Sequence, residues 1–199
     1  MQLLKKTAII LGLVVLASCG SKKKFVNTPA LTASNDVHAV IEIPAGTNKK
    51  IEYNEAQAHF AIDKKEGKDR IIQYLPYIGN YGFIPSTIAN PEEDGDGDPL
   101  DILVIAEHAK TGTIMDVKPI GLLKLVDQDK LDYKVIAVPV DATKNILHIH
   151  TYQELKSEYP SITSIIELWF KNYDKDKLTI VGWGDENEAI DYIKSNLKK

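Results

Sequence analysis

The chain has 199 residues, 44% of them hydrophobic and 26% charged, with a formal net charge of −4 at pH 7. That length leaves room for one domain with a substantial core, and the mildly acidic balance excludes nucleic acid as an expected partner. Cys19 is the only cysteine, so no disulfide can form within one chain.

Residues 1–18 have the parts of a secretory signal. Lys5 and Lys6 make a positive start, and Ala8 to Ala17 is an apolar core too short to span a bilayer. Leu16-Ala17-Ser18-Cys19 resembles a bacterial lipobox, in which the cysteine is lipidated and becomes the first mature residue. Removing residues 1–18 deletes two lysines and no acid, which takes the formal charge from −4 to −6. Residues 19–36 then read as a lipidated Cys19 and a flexible tether. Lys22-Lys23-Lys24 in that tether suit an anionic membrane surface. The expected location is the cell envelope, extracytoplasmic, held to a membrane by the lipid anchor. The folded domain is expected over 37–199.

Within it, Val37 to Ile43 reads as a strand ending at Pro44, and Lys50 to Tyr53 resumes an extended pattern after a turn over 45–48. Residues 74–85 hold prolines and glycines that prevent a long helix, and aromatics that demand packing. Further strands are expected at 101–106, 119–126, 134–140 and 178–182. A short helix is expected over 151–158. Ile162, Ile165, Ile166, Trp169, Phe170 and Tyr173 then fall on one helical face, with Pro160 and Ser161 as the start signal. A last helix runs through Glu186–Leu197, with Ala189, Ile190, Ile193 and Leu197 inward. Many strands followed by helices, without parallel alternation, predict an α+β fold: a largely antiparallel sheet or small barrel flanked by helices.

The chemistry concentrates at Asp94-Gly95-Asp96-Gly97-Asp98-Pro99-Leu100-Asp101. Like charges this close raise one another's pKa, and hard cations such as Mg²⁺ relieve them through oxygen ligands. A calcium-binding EF-hand loop starting at Asp94 would need Gly at its sixth position and Glu at its twelfth; those residues are Pro99 and Ile105. Asp101 opens an apolar run of strand length, where a solvated turn does not explain an aspartate. Asp127, Asp129 and Asp132 follow a second apolar strand. If the two strand ends converge, five or six carboxylates face one cavity. Two divalent ions about 4 Å apart could then clamp the oxygens of a phosphoryl displacement. Lys50, Arg70 and the phenols of Tyr77, Tyr81 and Tyr173 are candidate phosphate donors.

Asp96-Gly97-Asp98-Pro99-Leu100-Asp101 matches the signature of soluble family I inorganic pyrophosphatases, Asp-x-Asp-Pro-hydrophobic-Asp. The chain resembles that family also at Ile41–Pro44, Lys50–Glu52, Asp69-Arg70, Tyr77-x-x-Asn80-Tyr81-Gly82, Asp127…Asp132-x-Lys134 and Trp169-Phe170-x-x-Tyr173, in family order from about 37 to 183. The resemblance implies a five-stranded OB-like antiparallel barrel with flanking helices. It implies Mg²⁺-dependent hydrolysis of pyrophosphate to two phosphates by a metal-activated water, with several ions per site. It assigns Asp96, Asp101, Asp127, Asp132 and Glu42 to the metals and Asp98 to the general base. Lys50, Arg70, Tyr81, Lys134 and Tyr173 are assigned to phosphate oxygens, and Glu52 and Tyr77 to supporting positions.

One position departs from the family. Asp174 stands where members commonly have Lys, so either Lys175 substitutes or one phosphate contact is lost. The alternative function is a phosphate- or metal-binding lipoprotein of the same fold with weakened catalysis; Asp98 favours the enzyme, since binding alone needs no base. Homo-oligomers are common among bacterial members, while a lipid tether constrains geometry, so the assembly state stays open.

Overall fold

The computed structural model describes residues 25–174 and 178–198. The segment expected to be a signal, Cys19 and Lys175 lie outside the described residues.

Eleven strands and three α-helices are described: β1 (Val37–Ile43), β2 (Ile51–Asn54), β3 (His59–Ile62), β4 (Lys64–Lys65), β5 (Lys68–Asp69), β6 (Asn80–Phe83), β7 (Asp101–Val104), β8 (Ile114–Asp127), β9 (Lys130–Leu131), β10 (Lys134–Pro139), α1 (Tyr152–Glu158), α2 (Pro160–Asn172), β11 (Leu178–Gly184) and α3 (Glu186–Ser195). The order is the expected one, with strands first and helices late.

Pairings run β1–β6–β7–β10–β8 and return from β8 to β1, so five strands close a ring. This is an OB-like barrel, and closure removes the free edges that would otherwise template aggregation. The pairing of β7 with β10 is parallel, so the barrel is not wholly antiparallel. β8 runs for 14 residues because it serves four neighbours, β1, β9, β10 and β11. It begins at Ile114 rather than 119. Pro119, which has no N–H for a ladder, is accommodated at a register shift opposite Ile136/Ala137.

β7 and β10 are buried on both faces, which is why they read as continuous apolar runs. On one face Val37, Ile102, Val104 and Val135 pack with Ala189 and Ile193 of α3. On the other, Leu103, Leu123, Leu125 and Ile136 pack with Leu155 of α1 and Ile166, Trp169 and Phe170 of α2. Ile165 is a correction to the one-faced helix: it is exposed, on the flank of the stripe centred on Ile166 and Phe170. β3, β4, β5, β6 and β9 were not expected as strands.

The tether expected over 19–36 includes residues that belong to the fold. From Phe25 the chain is packed. Phe25 lies edge-on to Tyr53 and Phe60, with ring centroids 5.4 and 5.1 Å away. Ala30 is buried, its carbonyl accepts the His38 N–H, and the Thr28 carbonyl accepts the Ser86 hydroxyl. Apolar side chains and paired backbone groups account for this order, where composition alone suggested a linker.

Candidate active site

Strand directions bring the acidic segments together. β7 and β10 run parallel and begin at the same end, so Asp101 and Lys134 are register partners. β8 runs antiparallel to β10 and delivers Asp127 to that end, and the β8–β9 turn carries the chain back to Asp132. A backbone bond from the Leu131 N–H to the Asp94 carbonyl, 2.9 Å, ties the second acidic segment to the first. Asp94 itself is exposed and adopts a left-handed backbone at φ 61°.

The Asp96–Asp98 loop is built, not loose. The Asp98 N–H donates to Asp96 Oδ1 at 2.9 Å, and the Asp98 carbonyl accepts the Ala89 N–H. Buried Thr87 donates to the Ile84 carbonyl and accepts the Leu100 N–H, which fixes the approach to Asp101. Asn80 staples the barrel end: its Oδ1 accepts the Ala45 and Ala109 N–H groups and its Nδ2 donates to the Glu107 carbonyl.

These elements surround one cavity of about 530 Å³. It is lined by Glu42, Lys50, Glu52, Arg70, Tyr77, Tyr81, Asp96, Asp98, Asp101, Asp127, Asp132, Lys134 and Tyr173, so every candidate site residue within the described residues is in one place. Asp174 lines it too. Lys134 is buried and its ammonium donates to both Asp101 and Asp132, standing between them. Burial pulls its pKa down, but those two carboxylates outweigh burial and hold it above the ordinary lysine range. Lys50 pairs with Glu52. Arg70 Nη1 donates to Asp63 Oδ2 and Nη2 to Asp174 Oδ2, each at 2.9 Å.

The aromatic wall is continuous. Trp169 stacks on Tyr173 at 4.8 Å and tilts against Tyr77 at 4.7 Å, and its indole N–H donates to the Leu75 and Pro76 carbonyls. Burial pushes the Tyr77 and Tyr81 phenols well up and Tyr173 to about 12, so all three remain hydroxyl donors at neutral pH.

Several carboxylates are electrostatically uncomfortable. Burial pushes Glu42 up to about 8, even though it accepts the Tyr53 N–H at 2.7 Å. Asp98 is raised by burial, then by Asp96 and Asp101. Asp127 Oδ1 is buried with no hydrogen-bond partner. Nine carboxylates and five cationic side chains line the cavity among the described residues, so an anion entering alone meets net repulsion. An orphaned carboxylate oxygen amid surplus oxygen donors fits hard divalent cations. Among the described residues no three acidic, histidine or cysteine side chains already form a finished metal cage.

Asp63 escaped the sequence reading. It lies between β3 and β4, where no motif marks it, and only the fold brings it to Arg70.

Fold and site together define a class: a five-stranded barrel whose end forms a carboxylate-rich cavity that also holds lysines and an arginine. The chain belongs to the inorganic pyrophosphatase family, whose model matches residues 39–199. It is 34% identical to the inorganic pyrophosphatase of Neisseria meningitidis serogroup B over 177 residues, 86% of this chain and 93% of that one. It is 36% identical to that of Caulobacter vibrioides, covering 82% and 89%. Among solved structures, the inorganic pyrophosphatase from Thermus thermophilus superposes with a TM-score of 0.75 at 27% identity, covering 87% of this chain and 97% of that one. The enzyme from Neisseria gonorrhoeae gives 0.68 at 32% identity, covering 81% and 88%.

Proposed function

We propose that this chain hydrolyses inorganic pyrophosphate to two phosphates, with Mg²⁺ as cofactor. Water attacks one phosphorus, the bridging P–O bond breaks, and the second phosphate leaves. The observation that carries the assignment is the convergence of a raised-pKa aspartate, a surplus of carboxylates and several cations in one cavity.

Asp98 takes the proton of the attacking water. Its position is fixed by its own N–H on Asp96, and its raised proton affinity suits a base working near neutrality. Asp96, Asp101, Asp127 and Asp132, with Glu42, are the groups to hold Mg²⁺. When bound, the ions neutralise phosphate charge and make water more acidic. Lys134, held as a buried ammonium, faces the charge that develops on the phosphates, together with Lys50 and Arg70. Tyr81 and Tyr173 donate hydroxyl hydrogen bonds to phosphate oxygens, and Glu52 and Tyr77 support Lys50 and the aromatic wall. Positioning and charge stabilisation are most of what phosphoryl transfer requires.

The test is phosphate release from pyrophosphate with Mg²⁺ by residues 20–199. Strong metal-dependent release is expected, falling by roughly 10²- to 10⁴-fold in Asp98→Asn. A parent protein that binds phosphate without turnover would establish the second reading, a binding lipoprotein. That second reading rests on weakened catalysis, for which the one observation is that Asp174 already occupies Arg70, a candidate phosphate donor.

The location proposed is a membrane surface outside the cytoplasm, anchored through lipidated Cys19. It rests on Leu16–Cys19 and on Lys22–Lys24. Membrane fractionation of cells expressing the full chain and Cys19→Ser should place only the first in the membrane pellet. An intact N-terminus on cytosolic protein, seen by mass spectrometry, would refute it.

A further inference from the structure

Arg70 follows β5 into the cavity, and the two acids on its guanidinium play different parts. Asp63 belongs to Arg70's own backbone unit. The Arg70 N–H donates to the Asp63 carbonyl at 2.8 Å, the Asp63 N–H donates to the Lys50 carbonyl at 2.8 Å, and the Lys50 N–H donates to the Arg70 carbonyl at 3.0 Å. With the side-chain bond from Nη1, Asp63 suffices to orient the arginine. Asp63 does not line the cavity.

Asp174 does line it. It arrives from 104 residues away, directly after the C-cap of α2, and takes Nη2. Its place is set by the helix end, where Tyr173 stacks on Trp169 and Trp169 is bonded to the 75–76 backbone. One guanidinium nitrogen, Nη2, is therefore already paired with a carboxylate that lines the cavity.

We propose that Asp174 is an intramolecular competitor for the phosphate site at Arg70, a residue that sets how weakly this cavity holds phosphate anions. For a phosphate oxygen to reach Arg70 Nη2, Asp174 must release it; the anion gains a charge-assisted bond only by breaking one of the same kind. Orthophosphate meets that cost as any phosphate anion at Arg70 does. The acid thus favours release of product. This inference rests on the pyrophosphatase reading for its catalytic consequence, but not for its binding consequence.

The test is calorimetric titration of orthophosphate into residues 20–199 with Mg²⁺ present, for the parent protein, Asp174→Asn, Asp174→Lys, Asp174→Glu and Asp63→Asn. Removing the competitor should tighten orthophosphate by about tenfold in Asp174→Asn, and further in Asp174→Lys. Asp174→Glu, which keeps the carboxylate, should bind as the parent does. Asp63→Asn should bind more weakly, because it loses the residue that orients Arg70. In turnover, KM for pyrophosphate should fall and product inhibition strengthen in Asp174→Asn and Asp174→Lys. A merely structural role would move the melting temperature and leave that binding order unseen. If both variants bind orthophosphate no tighter than the parent, the competitor role is overturned and Asp174 positions Arg70 instead. If one of the two does not fold, the affinity of the other decides between the same two roles. Absence of turnover in every protein, with the binding order intact, would sink the pyrophosphatase reading and leave this one standing.

Discussion

Glu42 sits on β1 with its carboxylate accepting the Tyr53 N–H and facing Asp101 and Glu52 in the cavity. Burial raises it from 4.5 to about 8 in the metal-free protein. The folded chain therefore keeps a proton that the unfolded chain has lost between those values. Stability falls as pH rises through that window, by up to about 1.4 kcal/mol per pH unit, and levels off above the folded value. Urea unfolding in chelator at pH 5, 6.5 and 8 should show the decline, and Glu42→Gln should flatten it. An unchanged slope in the variant would mean that Glu42 already ionises near its ordinary value. The same residue shows what sequence could and could not convey. Ile41-Glu42-Ile43-Pro44 marked it for the site, because types and order survive in a linear string. Its discomfort was invisible, since burial comes only with the fold, which also sets the distant Asp101 near it. Asp63 is the opposite case: no local pattern singles it out, and only the closure of the 50–70 excursion makes it Arg70's partner.

Among the elements, β6 was the hardest to see. Pro76, Gly79 and Gly82 broke any strand pattern in residues 74–85, yet Gly82 is what lets β6 approach β1. A Cβ there would lie 1.9 Å from the Val40 carbonyl oxygen, which is backbone and cannot swing aside. Gly82→Ala should cost more than about 4 kcal/mol and leave the protein largely unfolded. Gly46→Ala supplies the contrast. Gly46 has φ 81° with open space around its Cα, so only backbone strain of about 1 kcal/mol is expected. Equal melting temperatures for the two variants would show that the β1–β6 contact yields. Helices were legible because their signals are local. α1 has Thr151 accepting the Glu154 N–H while the Glu154 side chain accepts the Thr151 N–H, a capping box written in four consecutive residues. Thr151→Ala should cost about 1 kcal/mol in urea unfolding. Long-range pairings such as β1–β8 leave no comparable trace, and neither does the length of β8, whose first residues lie before Pro119.

For the whole molecule, the consequence lies in where the fold begins. Only residues 20–24 separate Cys19 from packed Phe25 in the sequence, a length of roughly 20 Å for any fully extended chain. Phe25 packs on Tyr53, and Tyr53 stacks on Phe83; both of these rings line the cavity. An anchor at Cys19 would therefore hold the cavity rim close to the membrane instead of letting the domain wander. Residues 25–31 also belong to the folding unit, with Ala30 buried and Leu31 bridging to Val37. A chain starting at residue 32 forfeits the Phe25 and Ala30 burial and the bonds to His38 and Ser86. Its stability should drop by roughly 2–4 kcal/mol against residues 20–199, since burying one aromatic contributes about 1.5–3 kcal/mol. Phe25→Ala alone should account for about half of that, with Phe25→Leu milder. If the shortened chain unfolds within about 0.5 kcal/mol of residues 20–199, the segment is a passive leash and an anchor at Cys19 leaves the cavity unoriented. If the loss appears in full, the fixed part of the path to the active-site rim begins at Phe25, and a lipid at Cys19, if present, would hold that rim close to the membrane.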